Sequence, residues 1–246
     1  MTEFSSGISQ DFLPGKTLFL STLCLFIRMF YSYTYIVADR IAGMNIFVRK
    51  RLVMPDKEEK TPVVPQDPAL NDKLLKTRSI LLSGEIDKEC ADRLIRQLLV
   101  MEAEDGDAPV YLYINSPGGD VDAGYAIYDM IRFVSCPITI IGMGLVASAA
   151  ALILLSVPAD RRVGLPDSTY LIHQPLSGMK GVATDIEIHA RQIEKLRAKL
   201  DGVIAAATGK SVEEVAEDTE RDHWLDAGEA RDYGLISRIV SSRKEL

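Results

Sequence analysis

The sequence is short of the residues that metal and disulfide chemistry needs: among 246 residues there are three cysteines, three histidines and one tryptophan. Cys24, Cys90 and Cys136 are odd in number and share no spacing, no CxxC pair occurs, and no Cys/His cluster has the pattern of a zinc site. A disulfide framework and a structural zinc are thereby excluded, and we expect a reducing, cytoplasmic setting with no metal or other cofactor. Basic residues are in deficit as well. The 28 Lys and Arg stand against 35 Asp and Glu, a net charge of −7, so the basic face of a nucleic-acid binder is missing.

An uncharged run long enough to cross a bilayer is also absent. Residues 17–48, "TLFLSTLCLFIRMFYSYTYIVADRIAGMNIFV", are apolar and aromatic, but the uncharged part ends at Arg28, after roughly ten residues where a span needs about 20. As an export signal the segment has one preceding basic residue, Lys16, and no clear small-x-small cleavage site. We expect residues 1–53 to be an extension outside the folded unit, with Met44 and Met54 as later possible starts. Residues 54–69, "MPDKEEKTPVVPQDPA", are charged and proline-rich and read as a linker to a folded domain over 70–246.

Two nucleotide and hydrolase signatures are missing. "ATGKS" (207–211) ends like a phosphate loop, but Ile204 stands where that loop needs glycine, and the segment ends a helical stretch, so it reads as a helix C-cap. The G-x-S-x-G elbow fails at "VASAA", where Val146 and Ala150 occupy the glycine positions. Nothing here couples ATP to work, and no period of 20 to 50 residues marks a solenoid.

What is present is an α/β pattern. "SILLSG" (79–84), "PVYLYIN" (109–115), "PITIIG" (137–142) and "TYLIH" (169–173) are short apolar runs bounded by turn residues, as suits buried strands. "KECADRLIRQLLVMEAE" and "AGYAIYDMIRFV" between them carry apolar residues three and four apart, as helices do. The alternation predicts a largely parallel sheet with covered faces. A long amphipathic stretch, 183–209, exceeds what one small domain needs and is expected to project toward another subunit.

The chemistry centres on "GLVASAAAL" (144–152), where Ser148 follows an apolar run and opens a small-residue helix. Ser148 is either a helix cap or a nucleophile, and a serine nucleophile needs a base that is itself oriented by a third group. His189 lies within the long helix and His223 in the charged run "TERDHW", both read as surface positions. His173 ends a strand, at the kind of sheet edge where α/β active sites gather, and is the candidate base, with a hydrogen-bonded structural histidine as the alternative. "INSPGGD" (114–120) follows another strand. Its glycines can reach positive φ and bring backbone N–H groups to an oxyanion, although alone it reads as a plain turn. The dipole of the helix after Ser148 would act in the same sense. Asp218, Asp222 and Asp226 are equivalent candidates for the orienting acid.

"YLYINSPGGDVDAGYAIYDMI", "GLVASAAA", "LIHQPLSGMKGVATDIEIHA" and "DTERDHWLDAGEARDYGLI" resemble the proteolytic subunit of the Clp protease family across about residues 70–246. That family has a crotonase-like α/β fold of repeated β-β-α units with a projecting handle helix. The resemblance implies a serine endopeptidase that hydrolyses unfolded polypeptides inside a chamber of two stacked heptameric rings, a homo-oligomer fed by a separate hexameric AAA+ unfoldase. It implies Ser148 as nucleophile, His173 as general base and Asp222 as orienting acid, with the backbone N–H groups of Gly119 and Ala149 as oxyanion donors. It places Tyr111, Tyr113 and Phe133 in unfoldase docking pockets, although strand and helix position alone would make them core, and Glu220 and Arg221 near the inter-ring contact. Two departures stand out. Ala149 and Ala150 replace the family's usual Met-Gly, and residues 1–69 replace its short apolar pore loop. The alternatives are a non-catalytic ring subunit, and an acyl-CoA hydratase or isomerase on the same scaffold, which would use a carboxylate base.

Overall fold

The computed structural model describes residues 68–246; the extension 1–53 and the linker up to residue 67 lie outside the described residues. Helix α1 (Pro68–Lys76) leads into strand β1 (Ser79–Ser83). Helices α2 (Lys88–Glu104) and α3 (Val121–Phe133) then return the chain to β2 (Val110–Ser116) and β3 (Ile138–Ala147). These strands are parallel neighbours, with Leu82 beside Ile114 and Leu112 beside Ile140. Two short parallel strands, β4 (Arg162–Gly164) and β7 (Arg238–Ile239), complete the order β1-β2-β3-β4-β7.

Local chemistry accounts for the helices. Asp87 accepts a hydrogen bond from the Cys90 N–H at 2.7 Å and Asp120 from the Ala123 N–H at 2.8 Å, so each helix starts on a carboxylate cap. The three- and four-residue spacing of Cys90, Ala91, Leu94, Leu98 and Met101 forms one buried stripe on α2. It packs in a core with Ile80, Leu82, Leu112, Ile114 and Ile127.

Among the described residues the sheet is not covered on both faces, contrary to the sequence expectation. Along β2, Val110, Leu112 and Ile114 are buried, whereas Tyr111 and Tyr113 are half-buried on the opposite face. Leu81, beside Tyr113 in the sheet, is 49% exposed. The tyrosines are therefore not core residues, and neither is Phe133, which ends α3 and is 78% exposed.

Ile86 and Gly119 pair through a single bridge, and β3 changes neighbours along its length. Its residues 140–142 pair with β4, and its residues 145–147 pair with β5 (Thr169–Ile172). The switch falls where the β2–β3 register shifts, at Gly144 with φ 58°. β5 pairs antiparallel with β6 (His223–Asp226), Ile172 opposite His223. The ends of β3 and β5 and the turn before β6 thus lie side by side, and they carry Ser148, His173 and Asp222.

Four further α-helices lie among the described residues after β3. α4 (Ala149–Leu154) is buried throughout. The 26 residues of α5 (Ala183–Thr208) make a rod of about 39 Å. Its buried residues, Asp201, Ile204 and Ala205, all lie near its C-terminal end, while Ile186 and Ile188 are exposed. The helix therefore projects, as expected. Gly209, at φ 79°, caps it in the left-handed conformation, and Ser211 caps the following α6 (Val212–Asp218), which disposes of the "ATGKS" decoy. α7 (Ala227–Tyr233) precedes β7.

Candidate active site

Ser148 is one of two non-glycine residues with positive φ among the described residues, at φ 56° and ψ −120°. A residue held there costs about 1–3 kcal/mol, which the surroundings must supply. They do: the Ser148 N–H donates to the Leu171 carbonyl of β5 at 2.9 Å, and the Ser148 carbonyl accepts from the Leu152 N–H at 3.1 Å. Although Ser148 occupies the cap position of α4, its hydroxyl makes no capping hydrogen bond, unlike the Asp120 carboxylate and the Ser211 hydroxyl. The hydroxyl is left available for chemistry. The helix dipole expected behind it is short, because α4 has six residues.

The Pro-Gly-Gly turn lies against this junction. A Cβ on Gly118 would stand 2.7 Å from the Ser148 Cβ and 3.0 Å from the Ala149 nitrogen. Gly119, at φ 148°, has no room for a Cβ either, which would sit 2.3 Å from the Ile86 carbonyl oxygen. The Ile86 N–H donates to the Gly118 carbonyl at 2.8 Å, and the Asp120 N–H donates to the Ile86 carbonyl at 2.7 Å. This pins the turn while the N–H groups of Gly119 and Ala149 donate to no group among the described residues. They are free donors beside the serine. The unusual Ala149–Ala150 pair fits: Gly124 on α3 leaves room, since a Cβ there would meet the Ala149 Cβ at 3.1 Å, and Ala150 is fully buried.

Ser148 and His173 line the same cavity, with Val121, Leu152 and Pro175 among its apolar walls. No hydrogen bond joins the hydroxyl to the ring. His173 Nδ1 stands 3.6 Å from Asp222 Oδ1, beyond hydrogen-bond length, with His173 13% and Asp222 62% exposed at the side chain. The three groups are adjacent but not yet in contact, the looseness usual for such sites without substrate.

The structure separates the three candidate aspartates. Asp218 accepts from the Tyr233 hydroxyl at 2.8 Å and faces His223 Nδ1 at 3.7 Å. The Tyr233 phenol is pushed up by burial first and then by that hydrogen bond. Asp226 caps α7 in a capping box with Glu229. Asp222 is the one that faces His173. The remaining histidines have other partners: His223 tilts against the Tyr233 ring, and His189 bonds the Ser177 hydroxyl at 2.8 Å.

Four residues that hold the site escaped the sequence reading. The Gln174 N–H donates to the Thr219 carbonyl and Gln174 Nε2 to the Glu220 carbonyl, each at 2.7 Å, clamping the residue after His173 to the turn before Asp222. The Thr219 hydroxyl donates to Asp201 Oδ1 at 2.9 Å, both residues being buried. Arg197 Nη2 donates to Glu220 Oε2 at 2.7 Å and to the Ala216 carbonyl at 3.1 Å. Arg197 and Asp201 were visible in advance only as an i,i+4 pair on a long helix. Glu220, expected at an inter-ring contact, is thus held within its own chain, and Arg221 beside it is exposed.

Among the described residues no group of three or more His, Cys, Asp or Glu could hold a metal, and no helix is long and apolar enough to cross a membrane. The arrangement supports acyl transfer through a serine on an α/β scaffold, with two backbone donors placed for the oxyanion. Comparison with known proteins narrows that class. A family profile described as Clp protease matches residues 66–243, and the chain belongs to this family of serine peptidases as a proteolytic subunit. ATP-dependent Clp protease proteolytic subunit 2 of Treponema denticola is 56% identical over 77% of this chain and 94% of the relative. Its counterpart in Treponema pallidum is 60% identical over 71% of this chain and 87% of the relative. A solved structure of a ClpP1 mutant from Listeria monocytogenes superposes with TM-score 0.67 at 40% identity, covering 71% of this chain and 98% of that one.

Proposed function

We propose that Ser148 is the nucleophile that cleaves peptide bonds of unfolded polypeptides, with His173 as general base and Asp222 as the acid that orients it. The observation that carries this is a serine in a strained backbone conformation, its hydroxyl unspent on the helix it precedes, sharing a cavity with His173. Ser148 Oγ attacks the carbonyl carbon and passes its proton to His173, and the new oxyanion accepts from the Gly119 and Ala149 N–H groups. His173 then protonates the leaving amine, and water repeats the sequence to release the acid. No carboxylate lines the cavity, which speaks against a hydratase or isomerase on this scaffold. A fluorophosphonate tests the assignment: the chain should be labelled at Ser148 and the Ser148→Ala variant not at all. An unlabelled parent would favour the non-catalytic ring subunit.

The working assembly in this reading is a cytoplasmic, homo-oligomeric pair of stacked heptameric rings, fed by a separate hexameric AAA+ unfoldase and serving protein quality control. Residues 70–246 are its peptidase domain, 54–69 a linker and 1–53 an extension. Glu220 and Arg221 lie toward the inter-ring contact, beside the projecting α5. Tyr111, Tyr113 and Phe133 form the unfoldase docking surface in this reading, supported by the half-exposed tyrosines on the sheet face opposite the buried side of β2 and by the exposure of Phe133 at the end of α3. Aromatic side chains offer large rigid contact areas to a partner's apolar loop. Tyr113→Ala should leave hydrolysis of a short fluorogenic peptide within about twofold while cutting ATPase-driven degradation of a folded, tagged protein by roughly tenfold or more. Equal losses in both assays would make Tyr113 a fold residue.

A further inference from the structure

The cavity that holds Ser148 and His173 contains one further polar side chain. Tyr125, on α3, lines it among Val121, Leu152, Pro175, Leu196 and Leu200. The residue is 7% exposed, and its hydroxyl oxygen is buried with no hydrogen-bond partner among the described residues. Buried hydroxyls are almost always paired, because an unmade bond costs the group's full desolvation. A lone phenol in an otherwise apolar wall beside the nucleophile therefore asks for a partner that arrives from outside.

The ring is fixed from two sides. Tyr128 meets it edge-on at 6.2 Å between centroids, and the Lys199 ammonium sits 3.6 Å from its centroid. Burial first, and then the neighbouring Tyr128, Asp129 and Asp201, push the phenol up to about 12, so it stays a neutral donor. The free space in the cavity is about 20 Å³, room for one water-sized group. That suits the tip of an extended side chain and not an aromatic ring.

We propose that Tyr125 sets the specificity for the substrate residue on the acyl side of the scissile bond, favouring a neutral, unbranched side chain that ends in a hydrogen-bond acceptor. Glutamine meets that description, and norleucine matches its length without the acceptor. Lysine and arginine are disfavoured because Lys199 already occupies a face of the ring. The inference rests on the peptidase reading, and removing the hydroxyl should not harm the fold, since no described residue is hydrogen-bonded to it.

The test compares the full chain with Tyr125→Phe on two fluorogenic peptides that differ only in glutamine or norleucine before the cleaved bond. In the variant the ratio of kcat/KM for glutamine over norleucine should fall roughly three- to tenfold, the worth of one neutral hydrogen bond. The norleucine rate should change less than twofold, and Tm should hold or rise. The same ratio can be read from inactivation rates with the two matching peptidyl chloromethyl ketones, so slow turnover does not hide it. An unchanged ratio, or a lowered Tm with equal losses on both peptides, would overturn the inference and leave the peptidase reading intact. Neither cleavage nor alkylation by the parent, with no fluorophosphonate labelling, would overturn that reading and the inference with it.

Discussion

Ser148→Ala should lower kcat for peptide hydrolysis roughly 10⁴- to 10⁶-fold, the loss seen when the nucleophile of a comparable triad is removed. The same change should leave Tm almost untouched, because the hydroxyl makes no capping hydrogen bond to α4. A second substitution separates chemistry from strain. Ser148 sits at φ 56°, where a non-glycine residue costs about 1–3 kcal/mol, while glycine adds about 0.5–1 kcal/mol of unfolded-chain entropy. Relief outweighs entropy, so Ser148→Gly should be as inactive as the alanine variant yet more stable by about 1 kcal/mol, or roughly 2–4 °C in Tm. Calorimetry and a fluorogenic peptide assay on the three proteins check both halves. Substantial activity in either variant would remove Ser148 from the mechanism.

Asp222→Asn should cut kcat by about 10⁴, because the amide keeps the shape but cannot stabilise the imidazolium that forms when His173 takes the serine proton. The 3.6 Å between His173 Nδ1 and Asp222 Oδ1 is close enough for a small side-chain movement to make the contact. The two neighbouring aspartates are built-in controls. Asp218→Asn weakens the bond from the Tyr233 hydroxyl, and it should cost about 1 kcal/mol of stability with activity within a few-fold of the parent. Asp226→Asn keeps a capping side chain on α7 and should change little. If the three asparagine variants lost activity equally, the acid would have been misassigned.

This contrast marks where the sequence stops being informative. Ser148 and His173 were legible because each ends an apolar run, and strand ends are local features. Asp222 was not, since the antiparallel pairing that sets Ile172 against His223 joins segments some fifty residues apart. Its choice over Asp218 and Asp226 came from family resemblance, and the structure adds a physical reason by giving those two other work. The covered sheet was a misjudgement with a visible antidote. In "VYLYINS" the aliphatic and tyrosine residues alternate, which is the period of a strand buried on one face. Tyr125 was hidden differently: on a helix with apolar residues three and four apart it reads as core, and only the unpaired hydroxyl distinguishes it.

Mechanically, α5 is a cantilever. Its clamped end is the last part of the helix, where Asp201, Ile204 and Ala205 are buried, and its tip carries Ile186 and Ile188 into open solvent. From Ile186 to Asp201 the beam runs about 22 Å at the rise of an α-helix. The clamp is also the grip on the turn before Asp222, because Arg197 and Asp201 hold Ala216, Thr219 and Glu220. A load on the tip arrives there as torque, and it is passed on to Gln174, the residue after His173, through its two bonds to the carbonyls of Thr219 and Glu220. The tip of α5 and the residue after His173 thus belong to one mechanical circuit, joined through the turn before Asp222.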